Sequence, residues 1–339
     1  MDKQSILVVD DIPDNIDVLN GILRDDYQIK VAINGERALK IAMGDLPPDL
    51  ILLDVMMPGM DGYEVCRLLK SNFSTRKIPV IFVTAKSEVR DEMEGFNLGA
   101  VDYITKPVSP PIVKARVRTH LALYNQNRDL EVKVKERTFE IQETRLEIIR
   151  RLGVAAEYKD KETGEHIFRM SSFCRLIAEA AGMDKDEAEL IYNAAPMHDV
   201  GKIGIPDRIL LKPGKLDPDE WEIMKTHTTI GAQIIGNHPS ELLQTARIIA
   251  LSHHEKWDGS GYPYAQKGNE IHSYGRIAAI SDVFDALTSK RPYKEAWSFD
   301  EAIEQIKSEK GKYFDPVYVE AFFKVLPEIQ NIKYEGNDF

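Results

Sequence analysis

The stretch Leu52–Gly62, LLDVMMPGMDG, decides how the first third of the chain is read. An apolar run stops at Asp54, and a segment with helical spacing begins near residue 61. Outward from it the same alternation recurs. Short apolar strands are predicted at Ile6–Val9, Ile29–Ala32, Leu50–Leu53, Val80–Thr84 and Asp102–Ile104, with helices near 14–25, 35–44, 61–72, 88–98 and from 109 onward. Five such repeats predict a doubly wound α/β domain built on a five-stranded parallel sheet, whose ligand site lies at the carboxyl ends of the strands.

From Pro111 to Lys159 no glycine occurs before Gly153, and Glu, Lys, Arg and Leu dominate, so one long helix is predicted. Leu123, Leu130, Val134, Ile141 and Ile148 fall near a heptad stripe that Arg137 and Thr144 interrupt. A homodimer through this helix is one reading, and a single solvated linker is the other. Beyond residue 150 helical periodicity prevails, at Phe168–Ala181, Lys185–Met197, Asp217–Ile235, Leu242–Ser252, Gly275–Leu287 and Phe299–Lys307, which predicts an all-α bundle. The expected organisation is an α/β domain over 1–122, a helical linker with coiled-coil character over 123–149, and a helical domain over 150–339.

At 339 residues the chain is long enough for two domains. Its net charge of -11 gives no general affinity for phosphate backbones or anionic membranes, so a DNA-binding role is not expected. The two cysteines, Cys66 and Cys174, are far apart, and no apolar run approaches the length of a signal core or a membrane span. A cytoplasmic location without membrane insertion is expected.

Asp10 and Asp11 follow the first strand, Asp54 ends the third, Thr84 ends the fourth, and Lys106 follows the fifth. At one sheet edge three carboxylates repel unless a hard cation such as Mg²⁺ neutralises them. VVDD, LLDVMMPGMDG, VTA and the Tyr103…Lys106-Pro107 ending, in this register, resemble the receiver domain of two-component response regulators, a flavodoxin-like fold. The resemblance implies Asp54 as phosphoacceptor for a sensor histidine kinase and Asp10 and Asp11 as Mg²⁺ ligands. It further implies Thr84 and Lys106 as phosphoryl-sensing groups and Tyr103 as the aromatic that changes rotamer.

Seven of the eight histidines lie in the second domain, most of them beside carboxylates. One histidine on a helix is usually packed or exposed, but five histidines with several carboxylates from five helices meet in a bundle core at great cost unless metals hold them. More ligands are present than one ion takes, and a shared carboxylate such as Asp199 suits two ions arranged for phosphoryl displacement. The cations Lys202, Arg291 and Lys294 favour an anionic substrate over O₂ chemistry.

ETGEH, HDVGKIGIPD, KTH, HHEKWDGSGYP and SDVFDALTSKRPYKEAW, in this order from about Leu152 to Phe323, resemble the HD-GYP branch of the HD phosphohydrolases, which hydrolyses cyclic di-GMP. The resemblance implies metal ligands His166, His198, Asp199, His227, His253, His254 and Asp282, with Glu162 as the ligand that admits a third ion. Of these, His198 and Asp199, together with Lys202, are also expected to serve catalysis. The divalent ions expected are Fe or Mn, with Zn, Ni or Co as alternatives. Lys202, Gly261, Tyr262, Pro263, Arg291 and Lys294 are expected around the substrate. Asp285 is expected there too, or behind a ligand or Lys202. Trp221 and Trp257 are expected in the core.

The implied activity is a phosphorylation-regulated cyclic di-GMP phosphodiesterase releasing pGpG and then GMP. The rivals are a cyclic di-GMP-binding module with little turnover and a phosphodiesterase for another cyclic dinucleotide such as 3′,3′-cyclic GMP-AMP.

Overall fold

The computed structural model describes residues 3–85, 93, 95–160, 164–289 and 296–335. The chain divides into two compact units, Met1–Thr138 and Phe139–Phe339. In the first, strands β1 (Ser5–Val9), β2 (Gln28–Ala32), β3 (Leu50–Leu53), β4 (Val80–Thr84) and β5 (Asp102–Thr105) form one parallel sheet of order β2-β1-β3-β4-β5. β1, β3 and β4 are apolar on both faces and wholly buried, as covered parallel strands must be, while β2 at the edge mixes exposed and buried positions.

Helices α2 (Gly35–Ala42) and α3 (Gly62–Ser71) cover one face through Ala38, Ala42, Val65, Cys66 and Leu69. Asp61 caps α3 by accepting from the Glu64 amide, which sets where the chain turns back after Asp54. The other face is covered by α1 (Pro13–Leu23) and by Val113, Val117 and Leu121, spaced four apart along the start of α4 (Pro110–Lys159).

α4 is a single helix of 50 residues, ~75 Å long at 1.5 Å per residue. Residues 131–140 are exposed on every side, and Leu123, Leu130, Val134, Ile141 and Ile148 are each at least half exposed. The helix becomes buried again at Ile149 and Ala156 in the second unit.

The second unit is helical, with one isolated bridge between Lys310 and Phe314 among its described residues. Its core centres on α5 (Glu165–Ala180) and α11 (Ser273–Thr288), where Phe173 meets Phe284 edge-on at 5.9 Å. Full burial of such a side chain contributes about 1.5–3 kcal/mol. Around them lie α6 (Lys185–Ala194), the single turn α7 (Asp207–Leu210), α8 (Pro218–Lys225), α9 (His227–Ile235), α10 (Glu241–Ser252), α12 (Phe299–Ser308), α13 (Pro316–Lys324) and α14 (Leu326–Glu335).

Two expected helices are interrupted. The one read over 185–197 tightens to a 3₁₀ turn at Ala195–Met197, where Pro196 has no amide to continue the ladder. The one read over 217–235 breaks at Thr226, whose hydroxyl donates to the Ile223 carbonyl at 2.6 Å while His227 Nδ1 takes the Met224 carbonyl. These side chains compete with the backbone for the carbonyls of the last turn. α13 and α14 were not among the helices expected from the sequence.

Candidate functional site

At the carboxyl edge of the sheet Asp10, Asp11 and Asp54 place carboxylate oxygens within 4.8 Å of one another. Lys106 reaches Asp10 at 2.8 Å and Asp54 at 3.1 Å. Burial pushes the Asp54 carboxyl above its ordinary range, against the pull of Lys106. One ammonium cannot balance three carboxylates, and Asp11 Oδ1 is buried without a hydrogen-bond partner, so the donor set suits a hard divalent cation. Thr84 is fully buried at the end of β4, and Tyr103 is buried on β5.

The second cluster is built from segments far apart in the chain. His166 comes from the first turn of α5, and His198 and Asp199 lie between two 3₁₀ turns. His227 opens α9, His253 and His254 follow α10, and Asp282 stands on α11. Asp199 is the hub: its Oδ2 lies 3.3 Å from His198 Nε2, and its Oδ1 lies 3.3 Å from His227 Nε2 and 3.5 Å from His253 Nε2. His166 Nε2 is 3.5 Å from Asp282 and 3.6 Å from Glu157. Two groups with metal-ligand spacing result, Asp199 with His227, His253 and His254, and Glu157 with His166 and His198.

The rings are aimed by their outer nitrogens. His198 Nδ1 sits 3.0 Å from the Ala195 carbonyl, His227 Nδ1 2.8 Å from Met224 and His253 Nδ1 3.0 Å from Ile249. A carbonyl can only accept, so each Nδ1 carries the proton and each Nε2 turns a lone pair inward. The Nε2 atoms of these three rings and Asp199 Oδ1 are buried and have no hydrogen-bond partner. Native interiors tolerate such orphaned groups at metal sites and rarely elsewhere.

Burial alone would lower His198 and raise Asp199, but the Asp199 carboxylate pushes the imidazole up, and Lys202 first and His198 second bring the carboxyl down. His198 is pushed up to about 9, and Asp199, with Lys202 also beside it, stays well below the usual carboxylate range. Burial and the neighbouring His253 and His227 rings hold His254 well below its ordinary value.

Lys202 bridges Asp199 at 2.8 Å and Asp160 at 2.7 Å. Lys159 ties the end of α4 to this loop by donating to the carbonyls of Ile203 at 2.8 Å and Ile205 at 2.7 Å. Gly201 is required by close approach, since a Cβ there would stand 1.8 Å from the His227 carbonyl oxygen. Asp160 and Glu157 were missed in the sequence, although Glu157, Asp160, Glu162 and Glu165 form one acidic run leading to His166 that a search for carboxylates upstream of it would have found.

Of the two places expected for Asp285, the geometry gives the one behind a ligand. Asp285 is fully buried on α11, with Oδ2 2.7 Å from His166 Nδ1 and Oδ1 2.6 Å from Arg169 Nε. Lys333 on α14 adds a bond to Ser289 at 2.7 Å and a longer one to Asp285 at 3.4 Å. Asp285 therefore stands behind His166 and supports it. Burial would raise its carboxyl, but His166 and Arg169 drive it far below the ordinary range.

In HHEKWDGSGYP, Glu255 accepts from the amides of Tyr264 at 2.8 Å and Gln266 at 3.0 Å and so braces the loop. Gly259 has φ +86°, the left-handed region. Gly261 has an ordinary φ, and a Cβ would stand 2.3 Å from the Lys256 amide nitrogen. The Tyr262–Pro263 peptide is cis, and the Tyr262 ring stacks on His254 at 4.8 Å.

A cleft of about 350 Å³ opens over the cluster, lined by Asp160, Asp199, Lys202, Trp221, Tyr262 and Asp282 among others. Trp221 is 46% exposed, against its expected place in the core. Trp257 is half-buried, with the Arg276 guanidinium 5.6 Å from its ring centre. Glu162, Arg291 and Lys294 lie outside the described residues.

Comparison with known proteins adds two family matches. Residues 6–118 match a response regulator receiver domain and residues 143–317 an HD domain. A probable cyclic di-GMP phosphodiesterase of Vibrio cholerae is 43% identical, covering 96% of this chain and 78% of that protein. A cyclic di-GMP phosphodiesterase of Thermotoga maritima is 38% identical, covering 98% and 94% respectively. A 3′3′-cGAMP-specific phosphodiesterase 2 of Vibrio cholerae is 44% identical, covering 64% of this chain and 41% of that protein.

Proposed function

The chain belongs to the response regulators that join a receiver domain to an HD-type phosphohydrolase domain, and from this premise we propose that it hydrolyses cyclic di-GMP under control of phosphorylation at Asp54. The observation that carries the proposal is the set of buried, inward-facing Nε2 atoms around Asp199. His227, His253, His254 and Asp199 would hold one divalent ion, and His166, His198, Glu157 and Asp282 the other, with Asp199 shared through its second oxygen. Glu162 would serve a third. The mixed imidazole and carboxylate donors favour Fe or Mn, with Zn, Ni or Co as alternatives. Ions so held supply an activated water at neutral pH and stabilise charge on the phosphoryl group.

The chain's own residues do the rest. Lys202, held between Asp160 and Asp199, is placed to donate to a phosphoryl oxygen as its charge grows. Asp160 fixes that ammonium. Asp285 keeps His166 in one tautomer and orientation. Tyr262, on the loop braced by Glu255, lines the cleft, and with its neighbours Gly261 and Pro263 is assigned to the substrate, as Arg291 and Lys294 are to its phosphates. Hydrolysis yields pGpG first and GMP on a second cleavage.

In the receiver unit Asp10 and Asp11, beside Asp54, would hold Mg²⁺, and a sensor histidine kinase phosphorylates Asp54. Thr84, Tyr103 and Lys106 carry that event to the surface. A homodimer through the exposed stripe of α4 is the route by which it reaches the second unit. Among the described residues no helix is long and apolar enough to cross a membrane.

Metal-loaded protein, before and after phosphorylation, should release pGpG from cyclic di-GMP, and a variant with both His198→Ala and Asp199→Ala should release none. Binding without release in the parent protein would leave a cyclic di-GMP sensor. The 44% identity to the 3′3′-cGAMP-specific enzyme makes 3′,3′-cyclic GMP-AMP the second substrate to compare in the same assay.

A further inference from the structure

Trp221 has no structural duty that explains it. None of the residues of α8 is buried, and the helix is held by its capping box, in which Asp217 and Glu220 satisfy each other's amides, and by an ion pair from Lys212 to Glu220. A large indole left 46% exposed on such a helix contributes little to folding. It lies in a concave place, on the wall of the cleft that also contains Asp199 and Lys202. Its ring meets Tyr262 edge-on, with centroids 6.0 Å apart and planes at 81°.

The other aromatic of the cleft is engaged differently. Tyr262 lies nearly parallel to His254, at 29°, so one of its faces is covered by a metal-cluster imidazole. The edge-on contact puts Trp221 beyond Tyr262 and leaves part of the indole open to the cleft. Tyr262 thus connects Trp221 to the cluster through two ring contacts, Trp221 to Tyr262 and Tyr262 to His254. Tyr262 also meets the cluster ring of His227 at 6.2 Å, and Trp221, His227 and His254 line the same cleft.

We propose that Trp221 is the stacking platform for one purine base of the substrate, positioning the nucleotide so that its phosphodiester falls on the metal cluster and Lys202. This rests on the functional reading above and deepens it: Trp221 selects nucleotide diesters over diesters without a base. Stacking tolerates any purine because every base has a π-face, so Trp221 contributes affinity for cyclic dinucleotides as a class and does not distinguish guanine from adenine.

The test uses the full-length, metal-loaded protein and its Trp221→Ala and Trp221→Phe variants, with circular dichroism to check that each is folded. Loss of a base stack should raise KM for cyclic di-GMP roughly 5- to 150-fold in Trp221→Ala, with a smaller rise in Trp221→Phe and kcat changed much less than KM. A second readout does not depend on turnover. GMP should quench tryptophan emission in the parent protein and fail to do so in Trp221→Phe, which keeps Trp257 and Trp297. An unchanged KM in Trp221→Ala, or quenching that survives in Trp221→Phe, overturns the assignment. Absence of turnover in the parent protein would instead overturn the functional reading, and the GMP experiment would still decide whether Trp221 stacks on a base.

Discussion

His166 presents Nε2 to Asp282 and Glu157 only while its Nδ1 stays on Asp285, 2.7 Å away. Asp285 in turn answers Arg169 and Lys333, so one buried carboxylate fixes a ligand and pairs with two cations. In Asp285→Asn the amide keeps the shape but loses the charge and one acceptor. Metal affinity should fall about 10- to 100-fold, measured by competition with a chelator, while His198 and Asp199 keep their own contacts. An unchanged affinity would mean that packing alone orients His166. The sequence placed Asp285 on roughly the same helix face as Asp282, three residues earlier, but spacing gives a face and not a partner. Arg169 and Lys333, which claim Asp285, are 116 and 48 residues away from it.

α4 is the element that most depends on what surrounds it. Its two ends are buried in different cores, through Val113, Val117 and Leu121 at one and Ile149 and Ala156 at the other. Between them Leu130, Val134 and Ile141 remain at least half exposed, an apolar seam that a second copy of the helix would cover. Replacing Leu130 and Ile141 by lysine should convert a dimer to a monomer in sedimentation velocity without changing helix content. A parent protein already monomeric at micromolar concentration would refute the seam. The length of α4 was legible because no glycine precedes Gly153 and helix formers dominate. The break between α8 and α9 was not, because it depends on Thr226 and His227 taking carbonyls that the backbone would otherwise use.

At the scale of the molecule, the receiver unit is stabilised by apolar cores on both faces of its sheet, whereas the helical unit encloses a polar cluster whose orphaned atoms call for metal. Removing the helical unit's ions with a chelator selective for transition metals, in excess Mg²⁺ that keeps the receiver site filled, should therefore act on one unit. If binding at 1,000 times Kd contributes about 4 kcal/mol, chelation should lower the melting temperature of the helical unit by roughly 10 °C and leave the receiver transition in place. Calorimetry of the full chain with and without chelator reads both, and a shift of both transitions or of neither would contradict it. The sequence by itself determined the parallel sheet, the long helix and the histidines and aspartates of both clusters, because periodicity and motif spacing are local properties. Tertiary structure alone decided that Glu157 and Asp160 join the cluster, that Asp285 stands behind His166, and that Trp221 faces the cleft. Burial, hydrogen-bond partners and the direction of a side chain depend on segments distant in the chain, and no local spacing encodes them.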